Sequence, residues 1–215
     1  MRSFPRMETS ASSSLAIQAE RTGPPGSHEP DAVADMVRRA RADPRAFGEI
    51  YDAFFARIYG YVATRVRTRA DAEDVVSDTF MRALDKLPQF EYRGPASFAA
   101  WIFRIARNRI IDEQTSQARH ANIDLLEVRD RARAEDAPDV GLEREEEAHL
   151  LRVLIDSLPP RRQEVIALRF FGGLRNREIA EVMGLDQRTV ASHLCRALEQ
   201  LRDQFERATK AAGGS

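Results

Sequence analysis

A chain of 215 residues, 43% of them hydrophobic and 31% charged, holds enough apolar material for one domain or two small ones with a solvated surface. Its net charge of −1 gives no bulk signal for nucleic acid, and its single cysteine, Cys195, excludes an internal disulfide and a multi-cysteine zinc site. No run approaches the ~18 apolar residues of a membrane span, and Leu15-Ala16-Ile17 is too short for a signal-peptide core, so a cytoplasmic protein without membrane insertion is expected.

Residues 1–30 are rich in Ser, Pro, Gly and Thr without a period and read as a disordered extension. From Ala46 the pattern is helical: Phe47, Ile50, Tyr51, Phe54, Ile58, Tyr61 and Val62 recur at three and four and mark one buried face. A second stripe follows in Ala72, Val75, Val76, Thr79, Phe80, Ala83, Leu84 and Leu87, ended by Pro88. Residues 89–97 read as a loop around Gly94-Pro95. The next helix, Ser97 to Glu113, buries Phe98, Trp101, Ile102, Ile105 and Ala106. Together these define a first helical domain over residues 31–120.

Between 121 and 147 the composition changes: from Asn122 to Glu147, ten acids stand against four arginines, which reads as a flexible acidic linker. Helical periodicity resumes with Leu151, Leu154, Ile155 and Leu158, breaks at Pro159-Pro160 and continues through Val165, Ile166 and Leu168 to Gly172-Gly173. Two more helices are expected at Asn176–Met183 and Gln187–Phe205. They complete a second domain over 148–208, with 209–215 as a flexible tail. Strand patterns are absent, so the fold class is all-α: two small helical domains on one tether.

Three constellations carry chemistry. Residues 174–201 have the spacing of a helix-turn-helix. Ile179, Ala180 and Met183 face inward, Gly184 makes the turn, Leu185 plugs the junction and Asp186 caps the second helix. Val190, Leu194, Leu198 and Leu201 would then anchor that helix, leaving Gln187, Arg188, Ala191, Ser192, Cys195 and Arg196 outward, where a recognition helix meets the major groove. An ordinary helical hairpin is the plainer reading.

The second constellation is the polar face of the Ser97–Glu113 helix. Arg104, Arg107 and Asn108 share a side with Arg109 beside them, and Phe90, Tyr92 and Phe98 lie close in sequence. Arginines track phosphates, an asparagine reads a base edge, and aromatic rings stack on unpaired bases. A solvated face over core aromatics accounts for the same pattern. The third is an acidic face, Asp71, Asp74, Asp78 and Asp85 with Arg82, which suits docking or simple solvation.

Taken in order, these segments resemble the extracytoplasmic-function (ECF) sigma factors of bacterial RNA polymerase. Asp71-Ala-Glu-Asp-Val-Val-Ser-Asp-Thr-Phe-Met-Arg-Ala-Leu84 resembles region 2.2 of that family. Tyr92-Arg-Gly-Pro-Ala-Ser-Phe-Ala-Ala-Trp-Ile-Phe-Arg-Ile-Ala-Arg-Asn-Arg-Ile-Ile-Asp112 is similar to regions 2.3 and 2.4. Leu158-Pro-Pro-Arg-Arg-Gln-Glu-Val-Ile-Ala-Leu-Arg-Phe-Phe171 and the helix-turn-helix are similar to region 4. The resemblance implies a promoter-recognition subunit. Asp71, Asp74, Asp78, Phe80 and Arg82 would dock on the β′ clamp of core RNA polymerase. Phe90, Tyr92, Arg93, Arg104, Arg107, Asn108 and Arg109 would melt and read the -10 element, whose flipped base the Phe90–Ser97 loop would receive. Gln187, Arg188, Thr189, Ala191, Ser192, Cys195 and Arg196 would read the double-stranded -35 element, with the second domain also touching the β flap. An anti-sigma factor is a further implied partner.

The chain also departs from that family. Ala191 stands where a basic residue is typical, leaving Arg188 and Arg196 as the cations of the recognition helix. Arg175 replaces the usual Ser or Thr before the first helix of the motif, so the capping pair with Glu178 is lost unless Asn176 caps instead. Asp156–Arg207 holds nine arginines and eight acids, and weak or unusual -35 binding is expected. His28, His120, His149 and His193 lack metal-ligand spacing, no catalytic set is evident, and no cofactor is implied. A sigma-like decoy that titrates an anti-sigma factor is the alternative function; an ordinary helix-turn-helix regulator leaves the arginine-aromatic helix unexplained.

Overall fold

A computed structural model describes residues 30–121 and 153–212, all of whose regular elements are helical. The expected N-terminal extension (apart from Pro30), the acidic linker (apart from Ala121) and residues 148–152 and 213–215 lie outside the described residues. The helices are α1 (Pro30–Ala42), α2 (Phe47–Ala63), α3 (Arg69–Lys86), α4 (Pro95–Ala121), α5 (Pro160–Ile166), α6 (Asn176–Met183) and α7 (Gln187–Ala212). The last runs to Ala212, so residues 209–212 continue the helix where a flexible tail was expected.

Local chemistry sets most of these boundaries. Helix α1, which the sequence reading did not pick out, carries Val33, Met36, Val37 and Ala40 on its buried side, the spacing of an amphipathic stripe. Thr68 caps α3: its hydroxyl accepts the Asp71 N–H at 3.1 Å and the Asp71 carboxylate accepts the Thr68 N–H at 3.1 Å. This reciprocal capping box satisfies two amide donors that would otherwise be orphaned. Gly94 takes φ +113°, and Pro95 starts α4 two residues earlier than expected, because a proline at the first helical position sacrifices no hydrogen bond. The Ser97 hydroxyl accepts the Arg93 N–H at 3.0 Å and donates to Gly94 O at 2.6 Å, fastening the loop to the helix start.

The first three-dimensional unit packs α1 to α4 around Phe54, Tyr61, Phe98, Ile102 and Phe103, all fully buried. Phe54 and Phe90 each meet Phe98 edge-on, at centroid distances of 5.3 and 5.4 Å. In the second unit α5 passes into a π-helical turn, Ala167–Phe171. Two contacts define that turn: the Gly172 N–H reaches Ala167 O at 3.0 Å and the Leu174 N–H reaches Leu168 O at 3.0 Å. Helices α6 and α7 then form the helix-turn-helix. Gly184 sits at φ +66° in the turn, the Leu185 N–H returns to Ala180 O at 2.9 Å, and the Asp186 carboxylate accepts from the Thr189 N–H (2.8 Å) and hydroxyl (2.6 Å). Val190 and Ala197 are the fully buried anchors of α7; Leu198, expected in that role, is 44% exposed.

The two units do not stand apart. One hydrophobic core runs from Ile50, Tyr61 and Phe103 of the first into Leu168, Leu174, Ile179 and Val182 of the second. Helix α4 lies against α6, and α2 against the π turn.

Candidate nucleic-acid interface

The outward face of α7 is exposed much as its spacing suggests. Gln187, Arg188, Ala191, Ser192, Cys195 and Arg196 are all exposed along α7. Thr189 differs: it is half-buried and its hydroxyl is committed to Asp186, whose carboxyl those hydrogen bonds hold below its usual range. The Cys195 thiol donates to Glu199 Oε1 at 3.4 Å, and this bond raises its pKa, favouring the thiol over the reactive thiolate. At the start of α6 half of the capping box survives. The Glu178 carboxylate accepts the Arg175 N–H at 2.6 Å, whereas the Arg175 guanidinium has no acceptor to return. Asn176 is the first helical residue and its buried Oδ1 has no hydrogen-bond partner in the structure, so it does not cap. Burial raises the Glu178 pKa, opposed by the Arg175 N–H bond and the charge of Arg57.

The face of α4 is less open than its sequence suggests. Asn108 points to solvent. Arg104 is exposed but donates to Glu181 O of α6 at 2.6 Å. Arg107 turns to Glu164 of α5, Nε to Oε1 3.4 Å. Arg109 points the other way, pairing with Asp78 of α3 and, at 3.0 Å, with Asp112. The three arginines thus serve three different helices, Asn108 alone is left to solvent, and the four do not form one row.

In the adjoining loop Glu91 and Arg93 are exposed and paired at 2.7 Å, and Tyr92 is half-buried against the core. Phe90 departs from expectation. It is 8% exposed and tilted against Trp101 with ring centroids 4.7 Å apart, so it supports the loop from below and offers no free face to a base. Phe98, read as part of the same platform, is likewise core. Burial of an apolar ring outweighs a surface role where two other aromatics already enclose it.

On α3, Asp74 and Arg82 are exposed, Asp78 is shared between Arg82 (3.3 Å) and Arg109, and Asp71 is spent on the cap and on Gln117 at 3.0 Å. Phe80 is buried at 4% exposure and floors an open apolar groove of about 570 Å³ between α2 and α3. Tyr51, Phe55, Met81 and Leu84 line the groove while remaining 36–63% exposed. The sequence reading placed Tyr51 and Leu84 in the core and missed the groove, although the crowding of large apolar residues on both faces of α2 was visible.

Also missed was a charged centre between the two units. Glu164 of α5 is 7% exposed. It accepts the Tyr61 hydroxyl at 2.5 Å and pairs with Arg65 at 3.2 Å and Arg107 at 3.4 Å. Full burial and the neighbouring Glu164 charge push the Tyr61 hydroxyl well above the usual phenol range. The signal was an acid heading the apolar run Val165-Ile166-Ala167-Leu168, matched by Tyr61 near the end of α2 and Arg65 just beyond it. Nearby, Arg57 donates from Nε to Gly172 O at 2.9 Å while lying over the Phe54 and Phe103 rings at 5.3 and 5.5 Å.

An exposed helix-turn-helix following a helical unit with an arginine-lined, loop-flanked helix defines a two-part helical DNA-recognition protein. Among the described residues no cluster of His, Cys, Asp and Glu could hold a metal, and no helix is long and apolar enough to cross a membrane. Family models give the class its name: sigma-70 region 2 matches residues 50–120 and sigma-70 region 4 matches residues 148–201. Among curated proteins, the ECF RNA polymerase sigma factor BldN of Streptomyces coelicolor is 36% identical over 171 residues, covering 79% of this chain and 64% of BldN, so the chain spans just under two thirds of that relative. The ECF RNA polymerase sigma factor RpoE of Cereibacter sphaeroides is 33% identical over 167 residues, 78% of this chain and 90% of that protein. The solved structure of CnrH in complex with the cytosolic domain of CnrY superposes with TM-score 0.60 at 25% identity, covering 80% of this chain and 96% of that one. The sigma factor RpoE of Bartonella quintana, solved with the anti-sigma factor NepR, has the same fold at TM-score 0.62 and 21% identity, over 74% of this chain and 96% of that one. The chain belongs to the ECF sigma factors of bacterial RNA polymerase.

Proposed function

We propose that the chain is an alternative sigma factor that binds core RNA polymerase, directs it to promoters and opens the DNA there. The observation that carries this reading is the succession of both sigma regions on one chain, the second with its recognition helix exposed. Residues 31–120 serve as the polymerase- and -10-binding unit, 121–147 as the linker and 148–208 as the -35-binding unit. The exposed Asp74 and Arg82 of α3, the half-buried Asp78 and the adjacent groove floored by Phe80 receive the β′ clamp helices, apolar contact giving affinity and charge giving register. Asp71 contributes by holding the start of that helix.

On the DNA side, Asn108 supplies a donor–acceptor pair for a base edge, and Arg104, Arg107 and Arg109 supply charge for the backbone. Tyr92 and Arg93 sit in the loop that takes an unstacked base; Phe90 braces it. Gln187, Arg188, Ala191, Ser192, Cys195 and Arg196 face the -35 major groove, with Thr189 fixing the helix start. The chemistry of RNA synthesis stays with the polymerase, and the protein itself is no enzyme. It works in the cytoplasm, and an anti-sigma factor is its expected regulator, the role that NepR has toward the Bartonella protein. Permanganate footprinting with core polymerase tests the reading: thymines near a start site become reactive only with the protein present and lose reactivity with Asn108→Ala. Unreactive DNA despite tight binding to an anti-sigma factor would favour a titrating decoy.

A further inference from the structure

Among the described residues, the Glu164 carboxylate has no hydrogen bond or ion pair within its own helical unit. Its partners are all in the other one: Tyr61 of α2, Arg65 in the turn after α2 and Arg107 of α4. At 7% exposure it is among the least accessible acids described. Around it the fit between units is close. A Cβ on Gly172 would lie 2.8 Å from the Phe103 ring, and one on Gly60 would lie 3.4 Å from Phe171 O. Two arginines assigned above to the -10 strand, Arg104 and Arg107, are occupied by this packing.

We propose that Glu164, with Tyr61, Arg65 and Arg107, is a latch that holds the helix-turn-helix unit closed over the arginine face of α4, so that the free chain rests in an autoinhibited state. The inference rests on the reading of α4 as the -10 surface. A buried ion cluster suits a switch. Its attraction is strong while dry, yet each charge recovers hydration once the units part, so the two states stay close in free energy. A DNA phosphate offers Arg65 and Arg107 the same forked partner that the Glu164 carboxylate does and can displace it. Binding of the -10 strand and release of the second unit are then one coupled event.

Energy transfer in the full chain tests this, with one dye on native Cys195 and the other on Met81→Cys, both exposed. Glu164→Gln removes the charge while keeping a hydrogen-bonding group of the same shape. Tyr61→Phe removes only the hydroxyl and leaves the ring against Phe103, 5.7 Å away. Asp203→Asn, an exposed acid on α7, matches the charge change of the first variant without touching the latch. The latch predicts lower transfer in both latch variants and about tenfold tighter binding of a mixed-sequence single-stranded 20-mer by Glu164→Gln, with a steeper salt dependence than the Asp203→Asn control. Unchanged transfer in both variants, or an affinity no higher than the charge control, would overturn it. Opening with the DNA gain, but without promoter opening by core polymerase, would support the latch and overturn the sigma-factor reading instead.

Discussion

Two glycines, changed in the same way, should respond with opposite signs. At Gly172 an added methyl would stand 2.8 Å from Leu168 O and 2.8 Å from the Phe103 ring. The carbonyl is fixed because it also accepts the Leu174 N–H at 3.0 Å, and Phe103 is fully buried. Relief therefore requires the π turn to shift or the two units to separate, an overpacking cost of about 1–3 kcal/mol. Backbone conformation contributes nothing to that cost, since Gly172 has an ordinary helical φ of −77°. Gly48, in the first turn of α2, meets nothing within 4 Å, so alanine there gains helix propensity of up to about 1 kcal/mol. Urea unfolding followed by far-ultraviolet circular dichroism measures both. A Gly172→Ala chain as stable as wild type would refute the close packing of the second unit on α4, while a destabilised Gly48→Ala would refute the open environment at α2.

Three further outcomes follow from single side chains. Phe90→Ala should lose about 3 kcal/mol of stability, because it empties a site between Phe98 and Trp101; a loss of -10 binding with unchanged stability would return Phe90 to the DNA surface. The folded-state pKa of Glu178 is raised, so the folded chain binds its proton more tightly than the unfolded one, and the contribution of this group to stability is lost as pH rises from the ordinary glutamate value through the folded value. Glu178→Gln lacks this loss and should compare better with wild type at pH 7 than at pH 4 in urea titrations; the reverse ordering would contradict it. Arg188→Ala and Arg196→Ala should each lower the salt slope of -35 duplex binding by about one. The wild-type slope should itself be shallow, and a steep one would contradict the expected scarcity of phosphate contacts.

The helices were legible because their apolar periods are regular. Val75, Val76, Thr79, Phe80 and Ala83 leave little freedom for α3, and Gly184 and Asp186 announce the turn of the helix-turn-helix. Helix α1 was equally legible in Val33, Met36, Val37 and Ala40 but was overshadowed by the polar segment before it. Polarity misled on α4: an arginine pattern states which side chains share a face, not which neighbours claim them, and Arg104, Arg107 and Arg109 are each claimed by a different helix. The aromatic loop misled for the opposite reason, since composition cannot say which ring of Phe90, Tyr92 and Phe98 is enclosed. The contact between the units had the weakest signal. It depends on Glu164 meeting Tyr61, Arg65 and Arg107, all distant in sequence, and no local spacing encodes that pairing.

Run-off transcription with core RNA polymerase from the source, on a library of upstream fragments, tests the central claim most directly. The account predicts discrete start sites that require the protein, fade when Asn108 or Asp78 is substituted, and share sequence elements near -10 and -35. Identical transcripts with and without the protein, from a preparation shown to be folded and bound to core, would contradict it.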